Sequence, residues 1–254
     1  GLFMKKIIEV KNLYISYNNI NILKDISFEV FSNDILCIIG ANGSGKSSLL
    51  NALCNLVDFK GDILINNQKN YNELYKKIAM MSQVYNIYFG YTVYDTVMMG
   101  RYINFKDRLL SLPSKEDKDF VLHCLEKLKI LHLKDKLITE ISGGELQRVF
   151  LARIFAKEPD IIILDEPTNH LDLNIQLDLI NDLKQWVLEN ESRCIVAVLH
   201  DLNSALYFAN KILILKDSSL YYYGLVRDFD INLIDKLYDA DISKYMHDFL
   251  NIWN

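Results

Sequence analysis

The feature that most constrains the fold is a glycine-rich turn that directly follows a short apolar run. The run, Ile35–Ile39, is typical of a strand buried on both faces, as central parallel strands are. The turn, Gly40-Ala41-Asn42-Gly43-Ser44-Gly45-Lys46-Ser47, fits the pattern G-x-x-x-x-G-K-[ST] in full. A helix is predicted from Lys46, with leucines on one side at positions 49, 50, 53 and 56. A strand, a glycine turn and a helix in this order are the context that a phosphate-binding loop requires.

The residue types in this turn suit nucleotide phosphates and Mg²⁺. Glycines let backbone N–H groups close around phosphates, and the helix N-terminus adds the positive end of its dipole. We expect Lys46 to reach the β- and γ-phosphate oxygens and the Ser47 hydroxyl to ligate Mg²⁺. The alternative is a glycine-rich turn without a ligand, which the flanking strand and helix disfavour. The predicted nucleotide contacts are Gly40, Asn42, Gly43, Gly45, Lys46, Ser47 and Ser48.

A second apolar run ends in two carboxylates. Ile161–Leu164 is followed by Asp165 and Glu166, the usual form of a Walker B segment. We expect Asp165 to hold Mg²⁺ through water and Glu166 to polarise the attacking water as a general base. A buried strand that merely ends in surface acids is the alternative, since carboxylates commonly follow strands.

Composition narrows the class of protein. The net charge of -5 argues against a general nucleic-acid surface, because such surfaces concentrate Lys and Arg. The four cysteines are far apart among apolar neighbours, which indicates buried reduced thiols and a cytosolic protein. The longest apolar runs fall well below the roughly 18 residues needed to span a bilayer, so we expect any membrane role to come through a partner.

The order of elements predicts an α/β fold, with a parallel sheet interrupted by a helical insertion. Strand patterns occur at Ile7–Val10 and Ile26–Val30, and after the insertion they return in the second half of the chain. The insertion is expected between Tyr85 and Lys157. One of its helices is opened by Ser114, with Asp117 three residues later, in a capping-box arrangement. The later strands and the helix between them are expected at Ile161–Leu164, Ile195–Leu199, Ile212–Leu215 and, for the helix, Asn174–Leu188.

A third motif, Ile141-Ser142-Gly143-Gly144-Glu145-Leu146-Gln147-Arg148, lies just upstream of the Walker B run. It resembles the signature of ABC (ATP-binding cassette) ATPases. The resemblance implies that Ser142 and Gly144 of one subunit cap the γ-phosphate of ATP held by the phosphate loop of a second copy. A serine, two glycine amides and a helix N-terminus are chemically suited to this. An ordinary capped helix start, with Ser142 as cap and Glu145 three residues on, is the alternative, and the two can coexist.

The resemblance assigns further roles by position. Tyr17 matches an aromatic residue that stacks on adenine, and Gln83 matches a glutamine that contacts Mg²⁺ and water. Asp172 lies in a segment that resembles the D-loop of the dimer interface. His200, after the Ile195–Leu199 run, matches a histidine that senses the γ-phosphate. Glu166, Gln83 and His200 are thus the predicted catalytic residues, and Ser47, Gln83 and Asp165 the predicted metal ligands.

The same resemblance implies an ABC-type P-loop NTPase fold with a mainly parallel central sheet, an N-terminal antiparallel β subdomain and an inserted helical subdomain. Residues 4–84 and 158–254 are expected to form the α/β core and residues 85–157 the helical subdomain, within one nucleotide-binding domain. The resemblance covers Ile7–Gly224, with Ile141 and Ser48 as mild departures, and residues 225–254 match nothing specific.

Within the family, the stretch Thr92–Tyr102 resembles importer ATPases for iron-siderophore, haem and cobalamin, and Glu166–Asp172 is similar to that subgroup too. This implies ATP and Mg²⁺ as ligands, a head-to-tail homodimer, membrane permease subunits as partners, and a substrate-binding protein indirectly. The chain would then lie peripherally on the cytoplasmic face of the membrane. Three alternatives remain open: an importer for another substrate, a soluble ABC ATPase of a cluster-assembly scaffold, and an amphipathic helix whose Val93, Val97 and Met98 simply pack inside the insertion.

Overall fold

In the computed structural model, the described residues are 5–69, 76–82, 90–105, 112–169, 171–199, 201–238, 240–242 and 244. The strands are β1 Lys6–Tyr17, β2 Ile20–Phe31, β3 Ile35–Gly40, β4 Lys60–Ile65, β5 Ile78–Met81, β6 Ile161–Asp165, β7 Cys194–Val198, β8 Lys211–Lys216 and β9 Ser219–Leu225. The α-helices are α1 Lys46–Leu53, α2 Val93–Met98, α3 Tyr102–Phe105, α4 Lys115–Lys127, α5 Gly143–Ala156, α6 Leu173–Leu188, α7 Leu202–Phe208 and α8 Asn232–Tyr238. Short 3₁₀ helices cover Met99–Arg101, Leu131–Leu133 and Val226–Asp228.

The larger sheet has six strands in the order β5-β6-β7-β3-β8-β9. Neighbouring strands from β5 to β8 are parallel, and β9 pairs with β8 antiparallel at the edge. Alternate side chains of one strand enter two different cores. Cys37 of β3 packs with the helices on one face, while Leu36 and Ile38 pack with α1 and the smaller sheet on the other. The expectation that β3 is buried on both faces is confirmed.

The smaller sheet is antiparallel, with the order β2-β1-β4. Its first two strands each span 12 residues, and they are much longer than the apolar runs Ile7–Val10 and Ile26–Val30 suggested. The reason is that strand pairing continues past the continuous apolar stretch. Leu13, Ile15 and Leu23 stay fully buried while the polar residues between them face outward.

The helices α2 to α5 lie between β5 and β6, which confirms the predicted helical insertion. In α4, the Ser114 hydroxyl accepts from the Asp117 N–H while the Asp117 carboxylate accepts from the Ser114 N–H, so the predicted capping box is present. Val93 and Val97 are buried in this unit, as the packing interpretation of the Thr92–Tyr102 stretch expects. The limits 84/85 and 157/158 between subdomains stay a prediction.

The prediction that Leu56 belongs to the apolar face of the first helix was wrong. Helix α1 stops at Leu53, and Asn55 has a left-handed φ of 56°, so Leu56 lies beyond the helix and is 65% exposed. The prediction that all four cysteine thiols are buried was wrong for Cys54, which is only half-buried, whereas Cys37, Cys124 and Cys194 are buried. All four cysteines are free. Within the described ranges, no helix is both long enough and apolar enough to cross a membrane.

Candidate nucleotide-binding site

The glycine-rich turn joins the carboxyl end of β3 to the start of α1, at the edge of the sheet where parallel α/β folds bind ligands. Gly45 caps α1 with a φ of 98°, and a Cβ there would lie 2.5 Å from Cδ2 of Leu23. A side chain is therefore excluded at this position. No side chain accepts a hydrogen bond at the N-cap of α1. The first N–H groups of the helix thus remain available for an anion, which fits a phosphate.

Lys46 lies at the first turn of α1. Its Nζ atom donates to the carbonyl oxygens of Gly40 and Ala41, at 2.8 and 2.9 Å. Burial lowers the pKa of this ammonium group, and the nearby Glu166 and Asp165 carboxylates oppose that shift. The positive charge of Lys46 therefore lies within the loop that should hold phosphate. It also interacts with the carboxylates of Asp165 and Glu166 at the end of β6.

Ser47 and Asp165 come together at the candidate metal position. The Ser47 hydroxyl oxygen lies 3.4 Å from Oδ1 of Asp165. Hydroxyl and carboxylate oxygens are the donors that Mg²⁺ prefers, so Ser47 as a ligand and Asp165 acting through water fit the ion. Burial raises the pKa of Asp165, which the Ser47 hydrogen bond opposes. A bound cation would favour the ionised carboxylate that burial disfavours.

Glu166 directly follows β6 in an unusual backbone conformation. Its φ is 51°, and its N–H donates to the Val198 carbonyl at 2.9 Å. Such strain in a residue other than glycine is typical of functional sites. The Asn169 amide donates to the Glu166 carboxylate and fixes its direction. Glu166 lines a cavity of about 450 Å³ together with Lys46 and the loop residues Gly40, Ala41 and Asn42.

The segment that resembles the signature forms the capped start of α5. The Ser142 hydroxyl accepts from the Glu145 N–H at 3.3 Å and donates to the Glu145 carboxylate at 2.8 Å, so the capping interpretation is correct. These contacts with Ser142 lower the pKa of Glu145. A Cβ on Gly144 would lie 2.4 Å from Cδ1 of Ile175, whereas one on Gly143 would meet nothing within 4 Å. Ser142 and Gly143 are exposed, which leaves them accessible to a second molecule.

Some predicted residues lie apart from this cavity. Tyr17 ends β1 and is 42% exposed, and Asp172 caps α6 without a side-chain hydrogen bond. Neither these two nor Ser142 and Gly144 are among the described residues that line the cavity. Gln83 and His200 lie outside the described residues, so their roles stay predictions.

Sequence reasoning missed several contributors. Gln147 of α5 donates from Nε2 to the Pro167 carbonyl at 2.6 Å, which links the signature helix to the loop after β6. Asn169 was noted only as part of a loop, although it orients Glu166. Tyr238 and Ile242 also line the cavity, and nothing in their sequence context indicates this. The spacing of Asn169, three residues after Glu166, was the only signal that could have been used.

A glycine loop joins the central strand β3 to helix α1, and two acids lie at the end of β6, two strands away in the sheet. This arrangement defines a P-loop nucleotide-binding protein. The inserted helices and the capped Ser142 segment are those of an ATP-binding cassette. The ABC transporter family model matches residues 23–169, and the chain belongs to that family. It is an ATP-binding subunit of an ABC transporter, a class that hydrolyses ATP.

Two curated relatives are similar over most of the chain. The petrobactin import ATP-binding protein FpuD of Bacillus anthracis is 34% identical over 226 residues, which cover 87% of this chain and 82% of that protein. The phosphonates import ATP-binding protein PhnC of Fusobacterium nucleatum is 33% identical over 247 residues, which cover 93% of this chain and 100% of that protein.

Two solved structures are also similar. One is an inward-facing transporter assigned to the metal-chelate type, with 29% identity, a TM-score of 0.81 and coverage of 93% of this chain and 90% of that one. The other is an ATP-binding cassette solved as a dimer in a post-hydrolysis state with ADP and Pi, with 30% identity, a TM-score of 0.75 and coverage of 87% and 100%. Both similarities agree with the fold predicted from the sequence.

Proposed function

We propose that this chain is the ATP-hydrolysing motor of an importer for a metal chelate of the iron-siderophore class, and that it works as a head-to-tail dimer on a membrane permease. The observation that carries the permease part is an exposed cavity of about 330 Å³ on the helical insertion, lined by Asp95, Met98, Met99 and Tyr102. Met99 is 41% and Tyr102 54% exposed. Apolar side chains exposed together mark interaction surfaces, and methionines adapt well to a partner. We call these four residues the docking cavity.

The dimer is supported by a second exposed apolar surface beside the signature segment. Leu173 is 70% and Leu177 38% exposed at the start of α6. Gly144 packs against Ile175 of α6, so the exposed start of this helix, which carries both leucines, lies beside the signature segment. A second copy that covers them brings its own Lys46 loop to Ser142, and each ATP is then held between two chains. The similar cassette solved as a dimer supports this arrangement.

The reaction is hydrolysis of the γ-phosphate by water. Lys46 and the N-terminus of α1 bind the phosphates, and the Asn169 amide holds the Glu166 carboxylate in the same cavity. Glu166 accepts a proton from the attacking water. Ser47 and Asp165 would hold Mg²⁺, which neutralises phosphate charge when bound. Closure of the dimer acts on the permease through the docking cavity, and hydrolysis reopens it.

The substrate class proposed for the importer is supported by what similar proteins transport. The similar proteins include a petrobactin importer subunit and a transporter of the metal-chelate type, and the Thr92–Tyr102 stretch resembles the same subgroup. A second candidate is an importer for another substrate, because the phosphonates import relative is nearly as similar over its whole length. In either case the chain acts from the cytoplasmic face of the membrane, held there by its permease.

Two measurements test the proposal. Affinity purification from detergent-solubilised membranes should recover a polytopic permease; recovery of a soluble scaffold protein instead would favour cluster assembly. The recovered complex is then placed in liposomes with its binding protein, and ATP hydrolysis is compared with ferric siderophore, haem, cobalamin and phosphonate as loads. Stimulation by the ferric siderophore supports the substrate class, whereas stimulation by phosphonate alone would replace it with the second candidate.

A further inference from the structure

The C-terminal segment, which matches no motif, returns to the nucleotide site. After β9 the chain forms α8, Asn232–Tyr238. This helix is anchored by Ile234, which is fully buried, and by Leu237, which is 5% exposed and belongs to the main core. The Lys216 ammonium group donates to the Lys236 carbonyl and ties α8 to the end of β8. The helix is therefore a fixed part of the domain.

Of the described C-terminal residues, Tyr238 at the end of α8 and Ile242 beyond it reach the cavity. They line the same cavity as Lys46 and Glu166. Tyr238 is 39% exposed, so part of its ring faces the cavity and part faces solvent. Among the residues that the structure describes, the apolar side chains of Ile39, Leu199 and Leu202 line the same cavity. Charged and apolar side chains thus line one cavity, and the C-terminal segment contributes an aromatic ring and an aliphatic side chain to it.

The apolar side chains that line the cavity affect the charges beside the reacting phosphate. They exclude bulk water, and charges act more strongly on one another where water is excluded. The Lys46 ammonium and the Glu166 carboxylate need this effect, because both must act on charge that develops during hydrolysis. Burial raises the pKa of the Tyr238 hydroxyl, so the ring remains neutral beside these charges.

We propose that Tyr238 is a positioning residue for ATP hydrolysis: its ring, with Ile242, closes the solvent side of the cavity and restricts access to the water held by Glu166. The inference rests on the roles proposed for Lys46 and Glu166. It assigns a function to the C-terminal segment, whose removal would open the catalytic cavity without touching the phosphate loop.

The chain offers a matched control. Tyr221 of β9 is 38% exposed, nearly the same as Tyr238, but it is not among the described residues that line the cavity. Its ring lies 5.9 Å from the Lys216 ammonium group. Replacement of either tyrosine by alanine removes the same atoms at the same exposure. Only the replacement at Tyr238 changes the cavity wall.

The experiment measures kcat and KM for Mg-ATP in the full chain carrying Tyr238→Ala, Tyr238→Phe or Tyr221→Ala. We expect Tyr238→Ala to lower kcat roughly tenfold while KM changes less than about twofold, because the wall acts on the transition state more than on binding. Tyr238→Phe, which keeps the ring, should restore most of kcat. Tyr221→Ala should match the unmodified chain.

Equal kcat for Tyr238→Ala and Tyr221→Ala would overturn the inference, and so would a loss in Tyr238→Phe as large as in Tyr238→Ala. If Tyr238→Ala lowers the melting temperature, Ile242→Ala provides the test, with the same expected drop in kcat at unchanged KM. A Glu166→Gln variant with normal turnover would instead contradict the proposed reaction, so the two failures are distinguishable.

Discussion

The hydroxyl oxygen of Ser47 lies 3.4 Å from Oδ1 of Asp165, although 118 residues separate them in the sequence. Asp165 ends β6, and Ser47 lies in α1 just after β3; strand β7 stands between β6 and β3, since Val198 pairs with both Ile38 and Asp165. The two oxygens meet because the loop after β3 reaches across β7 towards the end of β6. The metal position is therefore a product of the sheet order, and it forms only when the parallel strands are in register.

Glu166→Gln should retain ATP binding and lose turnover by roughly 10² or more, because the amide cannot accept a proton from water. The change keeps the shape of the side chain and its contact with Asn169. Steady-state phosphate release and equilibrium ATP binding measure the two properties separately. Asp160→Asn, at the opposite end of β6, is the control and should leave turnover unchanged. Near-normal turnover in Glu166→Gln would remove this residue from its role.

Lys46→Ala should weaken ATP binding, because a charge-assisted contact with the phosphates is lost. The expected loss is about 1.5–3 kcal/mol, or roughly tenfold to a hundredfold in Kd. Titration with a fluorescent ATP analogue provides the measurement. Lys69→Ala removes an exposed lysine paired with Asp62 and should not change Kd. An unchanged affinity in Lys46→Ala contradicts the assignment of the glycine-rich loop.

Gly100→Ala should destabilise the helical insertion. A Cβ at Gly100 would lie 2.2 Å from the Arg153 carbonyl oxygen, which belongs to helix backbone and cannot move aside freely. Overpacking of this kind costs about 1–3 kcal/mol. Gly90→Ala, where the nearest contact is 3.7 Å from Cδ1 of Leu137, is the matched control and should be tolerated. Urea unfolding compares the two, and equal stabilities would show that the Gly100 contact relaxes.

Arg101→Met should lower the free energy of unfolding by about 3 kcal/mol, because a buried ion pair loses one partner. The Arg101 side chain is 11% exposed and its Nε donates to Asp117, which is 2% exposed, at 3.2 Å. The guanidinium also lies 4.8 Å from the centre of the Phe120 ring. Arg227→Met removes a side chain that is 81% exposed and should change stability by less than about 0.5 kcal/mol. A similar effect in both variants would refute the buried-pair account.

The elements that carry the phosphate loop and the acids were predictable because their local patterns are complete. Strand β3, its glycine turn and α1 occupy consecutive residues, and so do β6 and its two acids. The capping boxes at Ser114 and Ser142 were likewise visible as pairs of residues three apart. Each of these features is fixed by neighbours in the sequence.

Features that depend on distant neighbours were not predictable. Strand β9 pairs with the edge of β8, and its three consecutive tyrosines, Tyr221, Tyr222 and Tyr223, do not identify that partner. The end of α1 was misplaced because Leu56 continues the apolar spacing although Asn55 turns the chain. Tyr238 lines the cavity only because Ile234 and Leu237 anchor α8 in the core, a contact between segments far apart in sequence.

The central claim is that ATP is enclosed between two copies of the chain, and Gly143→Asp tests it most directly. A Cβ at Gly143 meets nothing within 4 Å, so the single chain should fold normally and bind ATP as before. In a dimer the new carboxylate would face the γ-phosphate of the other copy and repel it. The measurement is molar mass by light scattering with Mg-ATP in a Glu166→Gln background. We predict a dimer for Glu166→Gln and a monomer once Gly143→Asp is added; an ATP-dependent dimer in both would contradict the account.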